Sequence, residues 1–300
     1  MQVSTKIFNK QSVETFSDLT GQIQKKQEQV ASGKELTQPS DDPVRAARVM
    51  IVKEQRAQND QYLRNIDISY VKLSLTESAL EQAGNLATRA YELAIQARSD
   101  TNADSRGVLA IEMRGILDSV RDIANSTDPS GRSIFGGFKV TSPPFTVDNA
   151  GTTSFVGDRG AHTVRISPTM ELQTTLDGSS AFDRVPSKSG GFTSVFSMLD
   201  SMIEDLQAGN GQDLPVDDMK NAAAHFADQR ALIGAQMNKA QNQRALLENR
   251  NVILTENIGE MEDADLSKIV TDLQNLLVNK EVAQKAFSMI SQLNLFDMIA

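Results

Sequence analysis

The sequence predicts a mainly α-helical protein with a small β-rich insert: an elongated nested helical bundle. Its N- and C-terminal helices pair as a coiled coil, and the β domain sits at the tip. Three observations lead there. Apolar residues recur in alternating steps of three and four over both outer thirds of the chain. That period vanishes between Ile134 and Ser189, where Gly, Pro, Ser, Thr and Asp cluster instead. The last periodic segment runs almost to the final residue, and sustained a/d periodicity over more than three heptads is the mark of coiled-coil packing.

The first stripe is Phe16, Leu19, Ile23 and Val30, spaced as one face of a helix that ends near SGKEL, where Gly33 can serve as the stop. TQPSDDPVRA follows, two adjacent carboxylates held between Pro39 and Pro43. Side-by-side acids suggest a metal site, an acid/base pair or a helix start. Only Ser40, Thr37 and Glu35 stand nearby, so no further ligand set converges on Asp41 and Asp42. The helix-start reading accounts for more. Asp42 can cap free amide N–H groups, and Pro43 suits the first helical position because it has no N–H to satisfy. Pro39 makes the residue before it extended and breaks the chain from the first helix.

A second stripe runs to about Arg98 through Ile66, Leu73, Leu80, Ala87, Ala94 and Ala97, filled between by Ser69, Thr76, Ala83 and Ala90. Its small residues allow close backbone approach. A third helix carries Leu109, Met113, Ile116, Val120 and Ile123 and is expected to stop at Asp128-Pro129. Between Ile134 and Ser189, short stretches such as TTSFV, HTVRI and MELQTTL alternate with the turn signals DNAG, VGDRGA, ISPT and LDG. So small an insert has a thin core and is expected to dock on helices.

From Met219 a long stripe follows Ala223, Phe226, Ile233, Met237, Ala240, Leu247, Leu254 and Ile258. Arg230 and Arg244 take two stripe positions; their stems can lie along apolar surface with the guanidinium in water. A helix of that length is roughly 60 Å long at 1.5 Å per residue and needs partners alongside. The phase slips through GEMEDAD, around Gly259, then restarts as Leu266, Ile269, Leu273, Leu276, Lys280, Ala283, Phe287 and Ile290. If the terminal helices pair, the proline-acid joint and the phase slip fall at one level as two halves of one joint: Pro39, Asp41, Asp42 and Pro43 on one side, Gly259 on the other. The division expected is 1–42 with 260–300 as a terminal coiled-coil domain, 43–133 with 192–259 as a helical rod, and 134–191 as the β insert.

Composition narrows the function. There is no Cys or Trp and there are only two His residues, so disulfides and thiolate metal sites are excluded. A net charge of −9 disfavours nucleic acid and anionic lipid. No run of about 18 apolar residues offers a membrane span, and MQVSTKIFNKQSV lacks the apolar core of a secretory signal. His162 and His225 have no nucleophile or second His at useful spacing, and GRSIFGGF and GNGQ lack the Lys-Ser/Thr of a nucleotide loop. No GxSxG elbow occurs. The expectation is no catalytic, metal or cofactor site.

Four segments carry a family resemblance: ASGKELTQPSDDPVRAA, LATRAYELAIQARSDTNADSR, NSTDPSGRSIFGGFKVTSPPF and EDADLSKIVTDLQNLLVNKEVAQKAFSMISQLNLFDMI. Together they resemble the flagellin superfamily, in particular its hook–filament junction proteins; the aromatic-Gly-Gly-aromatic-Lys run followed by PPF points to the junction group. The likeness is weakest between Ala150 and Val216. It implies a structural adaptor of the bacterial flagellum, exported through the type III apparatus without a cleaved signal and assembled outside the cell. It implies a homo-oligomeric ring, contacts with the other junction protein and with flagellin, and a cytosolic export chaperone on the C-terminal segment. It also implies termini that order on assembly. Burying one side chain of the seam is worth roughly 1.5–3 kcal/mol, against about 1–2 kcal/mol of backbone entropy for each residue ordered. The assembly interface is then expected on Phe16, Leu19, Ile23, Val30, Leu266, Ile269, Leu273, Leu276, Phe287 and Ile290. Arg89, Leu93 and Gln96 match positions of the flagellin helix recognised by an innate immune receptor of animals, with ordinary inter-subunit contacts as the competing reading. Filament flagellin and a cytosolic helical signalling rod are the alternative functions.

Overall fold

The periodic segments are helices in the computed structural model, which describes residues 2–99, 105–149, 151–212 and 214–296, with the side chains of residues 2–6 and 290–296 outside the description. Six α-helices are described: α1 (Gln2–Ser32), α2 (Pro43–Ala97), α3 (Arg106–Ala124), α4 (Val195–Gln207), α5 (Val216–Glu262) and α6 (Leu266–Phe296). The chain divides into two compact units, residues 1–58 with 250–300, and residues 59–249.

In the first unit α1 packs along α6. The first residues of α2 and the last of α5 belong to the same unit, and Ala46, Val49, Leu254 and Ile258 are buried there.

The second unit holds the main core. Every residue of the α2 stripe from Ile66 to Ala97 is buried, the polar Ser69 and Thr76 included. Those two hydroxyls donate to the carbonyls of Asn65 (2.6 Å) and Lys72 (2.9 Å) one turn back, so they are buried already satisfied. α3 and α4 are strongly amphipathic and pack on each other. Ser194 caps α4, its Oγ accepting from the Phe196 amide at 3.3 Å.

Three antiparallel two-stranded ribbons span the insert and reach just past its expected end at residue 191: β1 (Phe145–Val147) with β2 (Thr153–Phe155), β3 (Thr163–Arg165) with β4 (Glu171–Gln173), and β5 (Val185–Pro186) with β6 (Phe192–Thr193). A π-helical turn, Ser179–Asp183, lies between β4 and β5. Such ribbons are too small to stand alone, and these share the helices' core. Phe145 packs on Phe196 of α4 (ring centroids 5.0 Å) and Phe182 on Phe226 of α5 (5.4 Å). Outside the core, Asn65 of α2 and Lys239 of α5 hydrogen-bond the carbonyls of Arg165 (2.8 Å) and Glu171 (2.7 Å).

The structure corrects three sequence expectations here. α3 ends at Ala124, not at Asp128-Pro129, because the side-chain amide of Asn125 pairs with both backbone groups of Phe145 (2.9 and 3.0 Å). α5 begins at Val216, a few residues before Met219, directly after Pro215. α4 is a distinct helix that no single stripe had announced. The glycines of FGGF are needed for close approach: Gly137 has φ 65°, and a Cβ there would run into the backbone carbonyl of Asp158.

Candidate functional site

The proline-acid segment and the phase slip meet in the first unit. Gly33 stops α1 with φ 69°, its amide reaching the Gln29 carbonyl (3.0 Å). The next residue, Lys34, forms an isolated antiparallel bridge with Asp263. The Glu35 amide donates to the Glu262 carbonyl (2.8 Å), and the Ala264 amide to that of Gly33 (3.0 Å). One short ladder therefore clamps the exit of α1 to the exit of α5.

Charges surround this ladder. The Glu262 carboxylate receives Lys34 (3.1 Å) and Lys53 (2.8 Å). Partial burial pushes the Glu262 carboxyl up, but the hydrogen bonds and charges of the two lysines outweigh that, and it is held below its ordinary range. Arg45 reaches Glu35 (2.8 Å), and Lys26 of α1 reaches Asp272 of α6 (2.9 Å).

The two adjacent aspartates divide the work. Asp42 caps α2: its Oδ1 accepts from the Arg45 amide (3.0 Å) and its carbonyl from that of Ala46 (2.8 Å), with Pro43 as the first helical residue. Asp41 closes the turn before it, accepting from Lys25 (2.7 Å), the Thr37 hydroxyl and the Gln38 amide (both 3.2 Å). The Lys25 hydrogen bond leads in holding the Asp41 carboxyl below the usual range. Pro39 is exposed in that turn. At the opposite exit, a Cβ on Gly259 would lie 2.9 Å from Asp263 Oδ2, so only glycine leaves that side chain its place. Asp265 repeats the capping device on α6, accepting from the amides of Lys268 (3.1 Å) and Ile269 (3.0 Å). Glu262, Lys34, Lys53 and Asp265 were not singled out from sequence; acid and base 200 residues apart give no local signal, though Asp265 stands just before a periodic run.

Beyond the joint lies the seam. Ile23 and Ile269 are buried; Phe16, Leu19, Val30, Leu273, Leu276 and Phe287 are half-covered. Phe287 stacks on Phe8 (centroids 6.0 Å, planes 13° apart) and meets Phe16 edge-on (5.8 Å, 88°). Leu266 opens α6 immediately after the cap and is 48% exposed, so within one chain the covered seam begins one turn later. The side chain of Ile290 lies outside the described residues. A second apolar row on α6, Val270, Leu277, Val278, Val282 and Met289, is exposed, as are Ile7 and Val13 of α1.

In the second unit the three receptor-like positions differ in their surroundings. Leu93 is 1% exposed, within the core, and Arg89 is tied to Glu112 (2.6 Å) and Glu92 (3.3 Å); Gln96 is exposed. Both histidines make packing or hydrogen-bond contacts: His225 Nε2 meets the Ser180 carbonyl (2.9 Å), and His162 packs edge-on against Phe138 (4.8 Å). Arg230 and Arg244 turn to carboxylates of α2, Glu81 (3.4 Å) and Asp67 (3.0 Å). Among the described residues no group of His, Asp and Glu is arranged to hold a metal ion, and no described helix is long and apolar enough to cross a membrane.

The outer thirds match known sequence families. Residues 3–139 match the bacterial flagellin N-terminal helical region, and residues 216–299 match its C-terminal helical region. The chain belongs to the flagellin superfamily. Within that superfamily it is similar to flagellar hook-associated protein 3 of Escherichia coli K12 and to that of Salmonella typhimurium LT2. Each is 26% identical over 318 aligned positions, which cover 99% of this chain and 99% of the relative. In fold it is similar to the crystal structure of flagellar hook-associated protein 3 from Legionella pneumophila (TM-score 0.65, 15% identity, 71% of this chain and 98% of that one). The flagellin superfamily is structural, so this chain is a non-enzymatic component of the bacterial flagellum. The reading as a cytosolic signalling rod is thereby overturned.

Proposed function

We propose that the chain is the subunit that joins the flagellar hook to the filament, assembling as a ring after export through the type III apparatus. The full-length likeness to hook-associated protein 3 carries this reading. In it the chain works as three parts. Residues 1–42 with 260–300 form the assembly domain, 43–133 with 192–259 form a helical rod, and 134–191 form an insert facing outward.

The chemistry of the first unit suits assembly. Its seam covers Phe16, Leu273 and Phe287 only halfway, and α6 leaves a second apolar row bare. Neighbouring copies packed head to tail would bury both, since heterologous contacts generate rings and helical tubes. The adjoining partners in this reading are the other junction protein on the hook side and flagellin on the filament side. Before export, a cytosolic chaperone would cover the same bare row on α6.

Deletion separates this reading from filament flagellin. Cells lacking a junction subunit keep hooks and leak flagellin into the medium. Cells lacking their sole flagellin keep this chain attached to the hook. Finding it along the whole filament length would overturn the proposal.

A further inference from the structure

An open cleft of about 180 Å³ lies in the second unit, well away in sequence from the terminal helix pair. Three separate segments build it: α2 through Lys72 and Leu75, the turn after α3 through Arg132 and Ser133, and the β3–β4 ribbon through His162 and Val164. The ribbon is fixed to the helices, and the ribbon and the turn are each closed internally. The ribbon is tied to α2 and α5 by Asn65 and Lys239. The Thr174 amide and hydroxyl both reach the His162 carbonyl (2.8 and 3.2 Å). The turn is closed by the Asp128 amide on the Arg132 carbonyl (2.7 Å) and by an antiparallel bridge from Thr127 to Ser133.

The polar groups of the wall are unequally used. Asp128 is its one carboxylate, and Oδ1 already accepts from the amides of Ser130 (2.8 Å) and Arg132 (2.9 Å). The ammonium of Lys72 and the guanidinium of Arg132 have no ion-pair partner among the described residues, on a chain whose net charge is −9. Ser133 is 7% exposed, and its Oγ, sealed from solvent, has no hydrogen-bond partner. Leu75 and Val164 give the cleft an apolar side. Two free cations, an imidazole that can donate and an apolar wall in one concave site describe recognition of a small molecule with an anionic end.

We infer that this cleft binds a small organic anion, a phosphate or carboxylate carried on a body of about sugar size, with Lys72 and Arg132 holding the charge. The site is independent of the seam and goes beyond the junction role. The same ligand chemistry arises in a phosphomonoester and in a sugar acid, so both are used as probes.

The test is titration of the full-length protein with glucose 6-phosphate, glucuronate, inorganic phosphate and glucose, followed by calorimetry and by amide NMR. The expected result is saturable one-to-one binding of glucose 6-phosphate or glucuronate, with shifts at Val140, Thr163 and Val164, and none with glucose. Binding of glucose 6-phosphate alone assigns a phosphate end, and of glucuronate alone a carboxylate. K72Q and R132Q each weaken binding about tenfold, the loss of one charge-assisted hydrogen bond, with the unfolding midpoint unchanged. If a variant fails to fold, the shift map of the unaltered protein decides. Absence of saturation below about 10 mM, shifts located elsewhere, or unchanged affinity in both variants overturns the assignment.

Discussion

Asp41 and Asp42 are chemically identical neighbours with different tasks, and the difference is backbone geometry. Asp42 precedes a helix whose first amides need acceptors; Asp41 closes the preceding turn through Lys25, Thr37 and Gln38. Replacing Asp42 by Ala should cost about 1 kcal/mol, within the roughly 0.5–2 kcal/mol range of a lost N-cap, read as a lower urea midpoint at unchanged slope. Glu262 gives a pH signature at the same joint. Its carboxyl is held below the ordinary range in the folded chain by Lys53 and Lys34. The unfolded state therefore takes up its proton first, at about pH 4.3. The stabilisation it brings is complete above that value and is lost as pH falls through the lower folded value. Urea melts from pH 7 to pH 3 should show this loss in the native chain, and E262Q should lack that component. Of these residues the aspartates were legible, because a cap lies next to the helix it starts. Glu262 was not: its partners Lys34 and Lys53 stand about two hundred residues away, and only folding sets them together.

At the scale of elements, periodicity was the strongest signal, because a helix in a bundle must present one apolar face throughout. The α2 stripe from Ile66 to Ala97 is buried without exception, and its small members Ala83, Ala87, Ala90 and Ala94 sit at 1% exposure or less. Ala90→Leu should therefore overpack the bundle and lower stability by about 1–3 kcal/mol, measured by denaturant unfolding; a neutral result would mean that the helices do not approach there. What stayed hidden were the element ends set by distant atoms. α3 stops where Asn125 turns to Phe145, and the seam starts a turn after Leu266. Of the six strands, β2, β3 and β4 were legible from TTSFV, HTVRI and MELQTTL, while β1, β5 and β6 were not; the dependence of the insert on the helices was legible from its size. Gly137 shows the cost of turn chemistry in so small a module. With φ 65° and the Asp158 carbonyl against it, G137A should unfold the insert at lower temperature than the native chain, visible as early loss of near-UV circular dichroism.

For the whole molecule the proposed role turns on what the terminal helices leave uncovered. Within one chain, the α1–α6 pair leaves Phe287 half-covered and Val270, Leu277, Val278, Val282 and Met289 bare. Phe287→Ala should cost less in the isolated subunit than the roughly 3–5 kcal/mol of a fully buried Phe, yet, on the proposed ring assembly, reduce the count of filaments per cell, because each copy in the ring would carry the defect. The central claim is that α1 and α6 of one chain pair through the joint while the chain stands in the flagellum. The chain has no cysteine, so a K26C/D272C pair, placed where Lys26 meets Asp272 at 2.9 Å, can be cross-linked cleanly with a short bismaleimide in sheared hook–filament preparations. The account predicts an intrachain cross-link in protein recovered from those appendages, migrating as a single subunit; a ladder of linked subunits, or no cross-link at all, would contradict it.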